Sequence, residues 1–259
     1  MIHKNKNENL LPSQDEMSEI KNLFNSNELN LLEKKTKELI KKYPNVSIFY
    51  NILGFISQNK NNYDEAILNF NKAIDINPYF DQAHNNLGNV LYTKGKYEKA
   101  IESYKKTIEI NPKYAEAYSN LGNALAKSGK FEEAISNQKY ALKLKPDIPE
   151  FYDNLGSSLT ELGKFEEAIV NHEKAIKLKP NFAEAYGNLA NAQAGMEKYR
   201  EAITNYQLSL KLNPKYKIAI LNESFVRLTL GEFEVGWEKY EARLGVETKT
   251  PLKYEEKKM

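Results

Sequence analysis

Asparagine stands at Asn86, Asn120, Asn154, Asn188 and Asn222, each 34 residues from the next. A carboxamide carries a donor and an acceptor together, so it can pair with the N–H and C=O of one extended residue. Such a row grips a polypeptide backbone without reading its side chains. Three further asparagines, Asn89, Asn123 and Asn191, follow members of the row at i+3, on the same face of a helix. The other residue types that do chemistry are sparse. There is no cysteine and there are three histidines, His3, His84 and His172, none in a cluster with metal-ligand spacing. No glycine-rich phosphate loop occurs and no serine stands in a nucleophile-elbow context. The sequence therefore predicts no catalytic residue, no metal and no cofactor.

The elements that carry the asparagines repeat with the same period. Leu53, Leu87, Leu121, Leu155 and Leu189 are so spaced, as are Gly54, Gly88, Gly122, Gly156 and Ala190. Ala66, Ala100, Ala134, Ala168 and Ala202 keep the beat, and Pro78, Pro112, Pro146, Pro180 and Pro214 close each turn of it. A period of this length means stacked units rather than one globular core. Five clear repeats span residues 47–80, 81–114, 115–148, 149–182 and 183–216. Numbering each from 1 to 34 places the asparagine row at position 6 and the leucine–glycine pair at 7 and 8. In the third repeat Tyr118, Leu121, Ala124 and Leu125 form one apolar helical stripe, and Ser128-Gly129-Lys130 breaks it. Phe131, Ala134, Ile135, Ala141 and Leu142 form a second stripe, which ends at Pro146. Each repeat is thus predicted to be helix, turn, helix, turn. Small residues at positions 8 and 20 allow close helix approach, and the aromatics at position 17, Tyr63 to Phe233, plug the gaps between repeats. His84 and His172 fall at packing positions.

Both ends depart from the pattern. Residues 13–46 read as a degenerate first repeat whose second helix runs from Leu29 to Ile40. Residues 217–250 read as a degenerate last one, with Glu223 and Ser224 where leucine and glycine belong. Terminal repeats are atypical because one face has no neighbour. Residues 1–12 are expected to be a mobile tail and 251–259 a charged one. No apolar stretch follows Met1 and no run reaches the roughly 20 apolar residues of a membrane span. A cytoplasmic monomer with no membrane contact is expected.

This pattern resembles the tetratricopeptide repeat, over residues 47–216. The resemblance implies an all-α, right-handed superhelical solenoid of antiparallel helix pairs, with the first helices lining a concave groove. Positions 2, 6, 9 and 13 would face that groove. Adjacent first helices about 10 Å apart and an extended strand advancing about 3.3–3.6 Å per residue let one asparagine meet every third ligand residue. The series is similar to that in the repeat arm of the O-linked N-acetylglucosamine protein transferases, where matching asparagines hold the substrate polypeptide. The other reading is that Asn-Leu-Gly is a frequent form of this repeat, with the amides serving packing or solvation. Lysine and arginine clamps for acidic tails are missing, since position 2 holds Gln82, Glu116, Glu150 and Glu184. The same acidic bias, with a net charge of only +2, argues against nucleic acid.

Gly236-Trp237 followed by Tyr240-Glu241-Ala242-Arg243 resembles the closing repeat of bacterial proteins in which a glycosyltransferase-like domain follows. Gly236 would leave room beside Trp237, whose indole would cover the end of the stack or touch ligand. Three functions follow: a non-catalytic module that binds an extended polypeptide, the recognition arm of a larger glycosyltransferase-type enzyme, or a scaffold that assembles through its outer face or ends. The first is preferred, with no enzymatic activity expected of these 259 residues.

Overall fold

The computed structural model describes residues 11–242. The amino-terminal ten residues, Arg243 and the charged tail at 251–259 lie outside the described residues. Among the described residues the secondary structure is fourteen α-helices, with no strand. The chain divides into two compact blocks, Met1–Gly129 and Lys130–Met259, the division falling inside the third clear repeat.

The amino-terminal block contains α1 (Gln14–Asn25), α2 (Leu29–Lys42), α3 (Ser47–Asn59), α4 (Tyr63–Ile76), α5 (Asp81–Thr93), α6 (Tyr97–Ile110) and α7 (Ala115–Lys127). Each helix packs on the next, and α3, α5 and α7 also touch in series. The carboxyl-terminal block contains α8 (Phe131–Leu144), α9 (Pro149–Glu161), α10 (Phe165–Leu178), α11 (Ala183–Gly195), α12 (Tyr199–Leu212), α13 (Lys217–Thr229) and α14 (Phe233–Ala242). There α9, α11 and α13 form the same inner series. No helix among the described residues is long and apolar enough to cross a membrane.

The turn inside each repeat needs one residue at positive φ, always at position 15. Gly95, Gly129, Gly163 and Gly231 supply it, as do Asn27 and Asn61 at φ 58° and 59°. Glycine takes this conformation without a Cβ clash, and asparagine tolerates it. Glu197 occupies the same slot at φ 60° and does neither. Glu197→Gly is therefore expected to raise stability by about 1 kcal/mol, the left-handed penalty less glycine's entropy cost. A thermal melt in which Glu197→Gly gains no more than Glu197→Ala would contradict this. At the far end of the second helices Asn77, Asn111 and Asn213 accept a bond from the N–H two residues on, through Oδ1 at 3.1–3.2 Å. This local turn closes the helix before the chain passes through proline.

Helix packing follows the small positions. A Cβ added at Gly54 would lie 2.5 Å from the ring of Phe70, one at Gly88 2.6 Å from Tyr104, and one at Gly156 2.6 Å from His172. In these three repeats position 8 is thus small because the position-24 ring lies against its backbone. A Cβ at Gly195 would likewise strike the ring of Phe165, the position-17 aromatic of the preceding repeat. Tyr63 packs against a cluster that includes Val90 of the following repeat, and Tyr199 against one that includes Val226. These contacts are the inter-repeat plugs.

The degenerate first pair has a core of its own. Ile20, Leu32, Leu39 and Tyr43 bury against Phe49, Ile52 and Ile56 of α3. A capping box opens α1: Ser13 Oγ accepts from the Glu16 N–H, and the Ser13 N–H donates to Glu16 Oε2. That bond, with Lys42 and Tyr43, holds the Glu16 carboxyl down to about 2. α2 runs two residues beyond the expected Ile40. Beside Gly236 lies Leu228, 2.7 Å from where a Cβ would stand. Trp237 meets Tyr240 edge-on at 5.6 Å and stays 42% exposed, so its indole covers the end only in part.

Candidate asparagine face

Each block presents an asparagine face built from its first helices. In the amino-terminal block these are α3, α5 and α7, carrying Asn86, Asn89, Asn120 and Asn123. In the carboxyl-terminal block they are α9, α11 and α13, carrying Asn154, Asn188, Asn191 and Asn222. All eight asparagines are half-buried. The position-6 slot of the first clear repeat is Ile52, and its place in the core formed with α1 and α2 accounts for the break in the row. Beside it, Phe55 at position 9 stacks on Phe24 with ring centroids 5.1 Å apart.

The position-6 amides reach back to the preceding repeat. Asn86 Nδ2 donates to Asn51 Oδ1 at 3.1 Å. Asn120 Nδ2 donates to Asn85 Oδ1 at 3.3 Å and to Asn89 Oδ1 at 3.1 Å. In the second block Asn188 Nδ2 meets both carboxylate oxygens of Asp153, and Asn222 Nδ2 donates to Asn191 Oδ1 at 2.8 Å. Each of these amides therefore spends at least one donor between repeats, and Asn120 and Asn188 make two such bonds. Asn120 and Asn222 keep their carbonyl oxygens for a ligand.

The position-9 residues have the opposite polarity. Asn89 Oδ1 accepts from Asn120 and also from Tyr104 Oη at 2.8 Å. Asn191 Oδ1 accepts from Asn222 and from Tyr206 Oη at 2.6 Å. An amide oxygen has two lone pairs, so both oxygens are filled and Nδ2 remains as the donor. The same tyrosine–asparagine–asparagine arrangement thus occurs once in each block. It sets acceptors at position 6 beside donors at position 9. Burial pushes the hydroxyl pKa of Tyr104 and Tyr206 upward, so both remain donors.

Asn89, Asn120 and Asn123 come together around one open cavity of about 140 Å³, lined also by Tyr92, Thr93 and Tyr104. Burial, helped by Tyr97, also raises the pKa of Tyr92. No charged side chain lines the space.

The partners of the row escaped the sequence reading. They lie at position 5, as Asn51, Asn85 and Asp153, and at position 24, as Tyr104 and Tyr206. Asn51, Asn85 and Asp153 are buried polar residues, and a buried polar group requires a partner. The legible signal was the doubled polar pair, Asn85-Asn86 and Asp153-Asn154, one member of which must turn inward. His172 is fully buried, its Nδ1 2.8 Å from Asp153 Oδ1. With two bonds from Asn188, this supplies the Asp153 carboxylate with donors. The imidazole ring lies against Gly156, and its Nε2 is buried with no hydrogen-bond partner among the described residues. His84 is half-buried and bonds the Pro78 carbonyl through Nε2 at 3.0 Å. Among the described residues no group of three or more His, Cys, Asp or Glu could hold a metal.

The chain resembles known proteins in repeat sequence and in fold. Models described as the tetratricopeptide repeat match residues 115–148 and 183–216, and one described as the TPR repeat matches 59–95, 88–129 and 156–196. No curated protein matches the chain. Among solved structures, one from the APC/C hetero-tetramer Cut9-Hcn1 is similar with a TM-score of 0.77 at 19% identity. That match covers 89% of this chain, which spans just under half, 46%, of the other. MamA protein is similar with a TM-score of 0.56 at 28% identity, over 66% of this chain and 93% of that one. YrrB, described as a TPR protein with an unusual peptide-binding site, gives 0.57 at 20%, over 71% and 95%. With its period, its helix pairs and family models matched over more than half its length, the chain belongs to the tetratricopeptide-repeat family.

Proposed function

We propose that this chain is a non-catalytic module that binds an extended segment of another protein along its asparagine face. The observation that carries the reading is the polarity of that face. Filled oxygens at Asn89 and Asn191 leave N–H donors for a backbone carbonyl. The neighbouring Asn120 and Asn222 keep carbonyl oxygens for a backbone N–H. An extended chain presents the same alternation. In the first block Asn86 and Asn123 add to this face, and in the second block Asn154 and Asn188 do. The acidic position-2 residues and the near-neutral charge favour a polypeptide over nucleic acid. A glycosyltransferase-type owner of the module would use the same face to deliver substrate, so that reading changes what is attached to the groove and not its chemistry.

The test keeps the fold and removes the donors. Asn89→Asp with Asn191→Asp preserves an oxygen for each tyrosine and each position-6 amide. Linear peptides selected from a displayed library on the wild-type chain should bind this variant about tenfold more weakly, as expected for two lost bonds. Circular dichroism should be unchanged. Selected peptides that bind both proteins equally well would overturn the reading.

A further inference from the structure

The cavity between α5, α6 and α7 has a more particular chemistry than the face around it. Its walls are Asn89, Tyr92, Thr93, Tyr104, Asn120 and Asn123. At about 140 Å³ it approaches the ~150 Å³ that admits a benzene ring. It therefore accepts one side chain and is too small for a drug-sized ligand. We propose that it takes the side-chain carboxamide of an asparagine or glutamine in the bound polypeptide.

This rests on the groove reading above and follows from hydrogen-bond accounting. Asn89 Oδ1 is filled by Tyr104 and Asn120, which leaves its Nδ2 as a donor. Asn120 Nδ2 is spent on Asn85 and Asn89, which leaves its Oδ1 as an acceptor. A carboxamide supplies the matching acceptor and donor in one planar group. A carboxylate supplies acceptors only and would set an oxygen against Asn120 Oδ1, with no cation in the walls. The raised hydroxyl pKa values of Tyr92 and Tyr104 reflect burial that also disfavours an anion. An aliphatic side chain would leave the Asn89 N–H groups unsatisfied. The corresponding positions of the second block share the tyrosine–asparagine–asparagine arrangement. There Ala194, Gly195 and Phe225 stand where the cavity has Tyr92, Thr93 and Asn123. The polar walls therefore belong to the first block.

Three small probes separate the possibilities on the full ¹⁵N-labelled chain: the N-acetyl methylamides of glutamine, glutamate and alanine. The glutamine probe is expected to move the side-chain N–H₂ signals of Asn89 and Asn120. The glutamate probe should need about tenfold more to do so, and the alanine probe, which offers backbone alone, should leave them in place. Asn89→Asp should abolish the glutamine response without altering backbone signals elsewhere. The wild-type comparison decides the matter even where that variant folds poorly. Equal shifts with glutamine and alanine would overturn the side-chain proposal while leaving backbone capture standing. No shift with glutamine would overturn it outright. Failure of the groove reading shows separately, as selected peptides indifferent to Asn89 and Asn191.

Discussion

Arg227→Ala is expected to destabilise the last helix pair by about 3 kcal/mol, the low end of the range for removing one partner of a buried ion pair. Glu223 is fully buried. Its Oε1 accepts from Arg227 Nε and lies 2.8 Å from Arg227 Nη2, while Oε2 lies 2.9 Å from Lys239 Nζ. Arg227 Nη1 also reaches Glu232 at 2.7 Å, and Arg200 pairs with the other oxygen of that carboxylate. Those two arginines, Arg200 first, hold the Glu232 carboxyl below its ordinary range. Without Arg227 the Glu223 charge keeps only Lys239, which is why the loss stays at the low end. Replacing both partners, as Glu223→Leu with Arg227→Met, should recover most of the loss, because well-packed apolar residues can replace a buried pair at little cost. The single tryptophan, Trp237 on α14, reports on this pair. Its fluorescence during urea unfolding checks both variants. A double variant less stable than Arg227→Ala would refute the account.

Phe70→Ala should cost about 3–5 kcal/mol, as for a large aromatic removed from a core. Phe70 is fully buried on α4, its ring against the Gly54 backbone of α3. The more telling result is the reversal at Gly54. In the wild-type background Gly54→Ala drives a Cβ to 2.5 Å from the ring and should destabilise by about 1–3 kcal/mol. With the ring gone the clash is gone, and alanine's better helix propensity should make the same change stabilising by about 1 kcal/mol. The four urea midpoints, followed by circular dichroism, form a double-mutant cycle. A Gly54→Ala effect of the same sign and size in both backgrounds would show that the ring does not set position 8.

The fold was legible because its determinants are local or recur. Gly54, Gly88 and Gly156 repeat with the rings that press on them, and Gly95, Gly129 and Gly163 repeat with the turns that require positive φ. A reader who had noticed Glu197 in that slot could have inferred the strain from sequence alone. The face was legible as a row of asparagines, but its polarity was not. Asn120 donates to residues 31 and 35 positions away, and only the packing of neighbouring helices brings those oxygens within reach. Glu223 misled for the same reason. In sequence it is a lost leucine. In the structure it is a charge whose burial depends on Arg227 one helical turn away and Lys239 on the next helix.

The bonds from Asn120 to Asn85 and Asn89 join adjacent repeats. In a linear array, stability is a sum of terms for each unit and for each junction. Junction strength then sets how far fraying spreads before it is halted. A ligand that holds Asn89 and Asn120 together would strengthen one junction and draw the neighbouring repeats into a longer cooperative stretch. Occupancy at the face would be felt as slowed amide exchange in the second helix α4, which contributes nothing to the cavity walls.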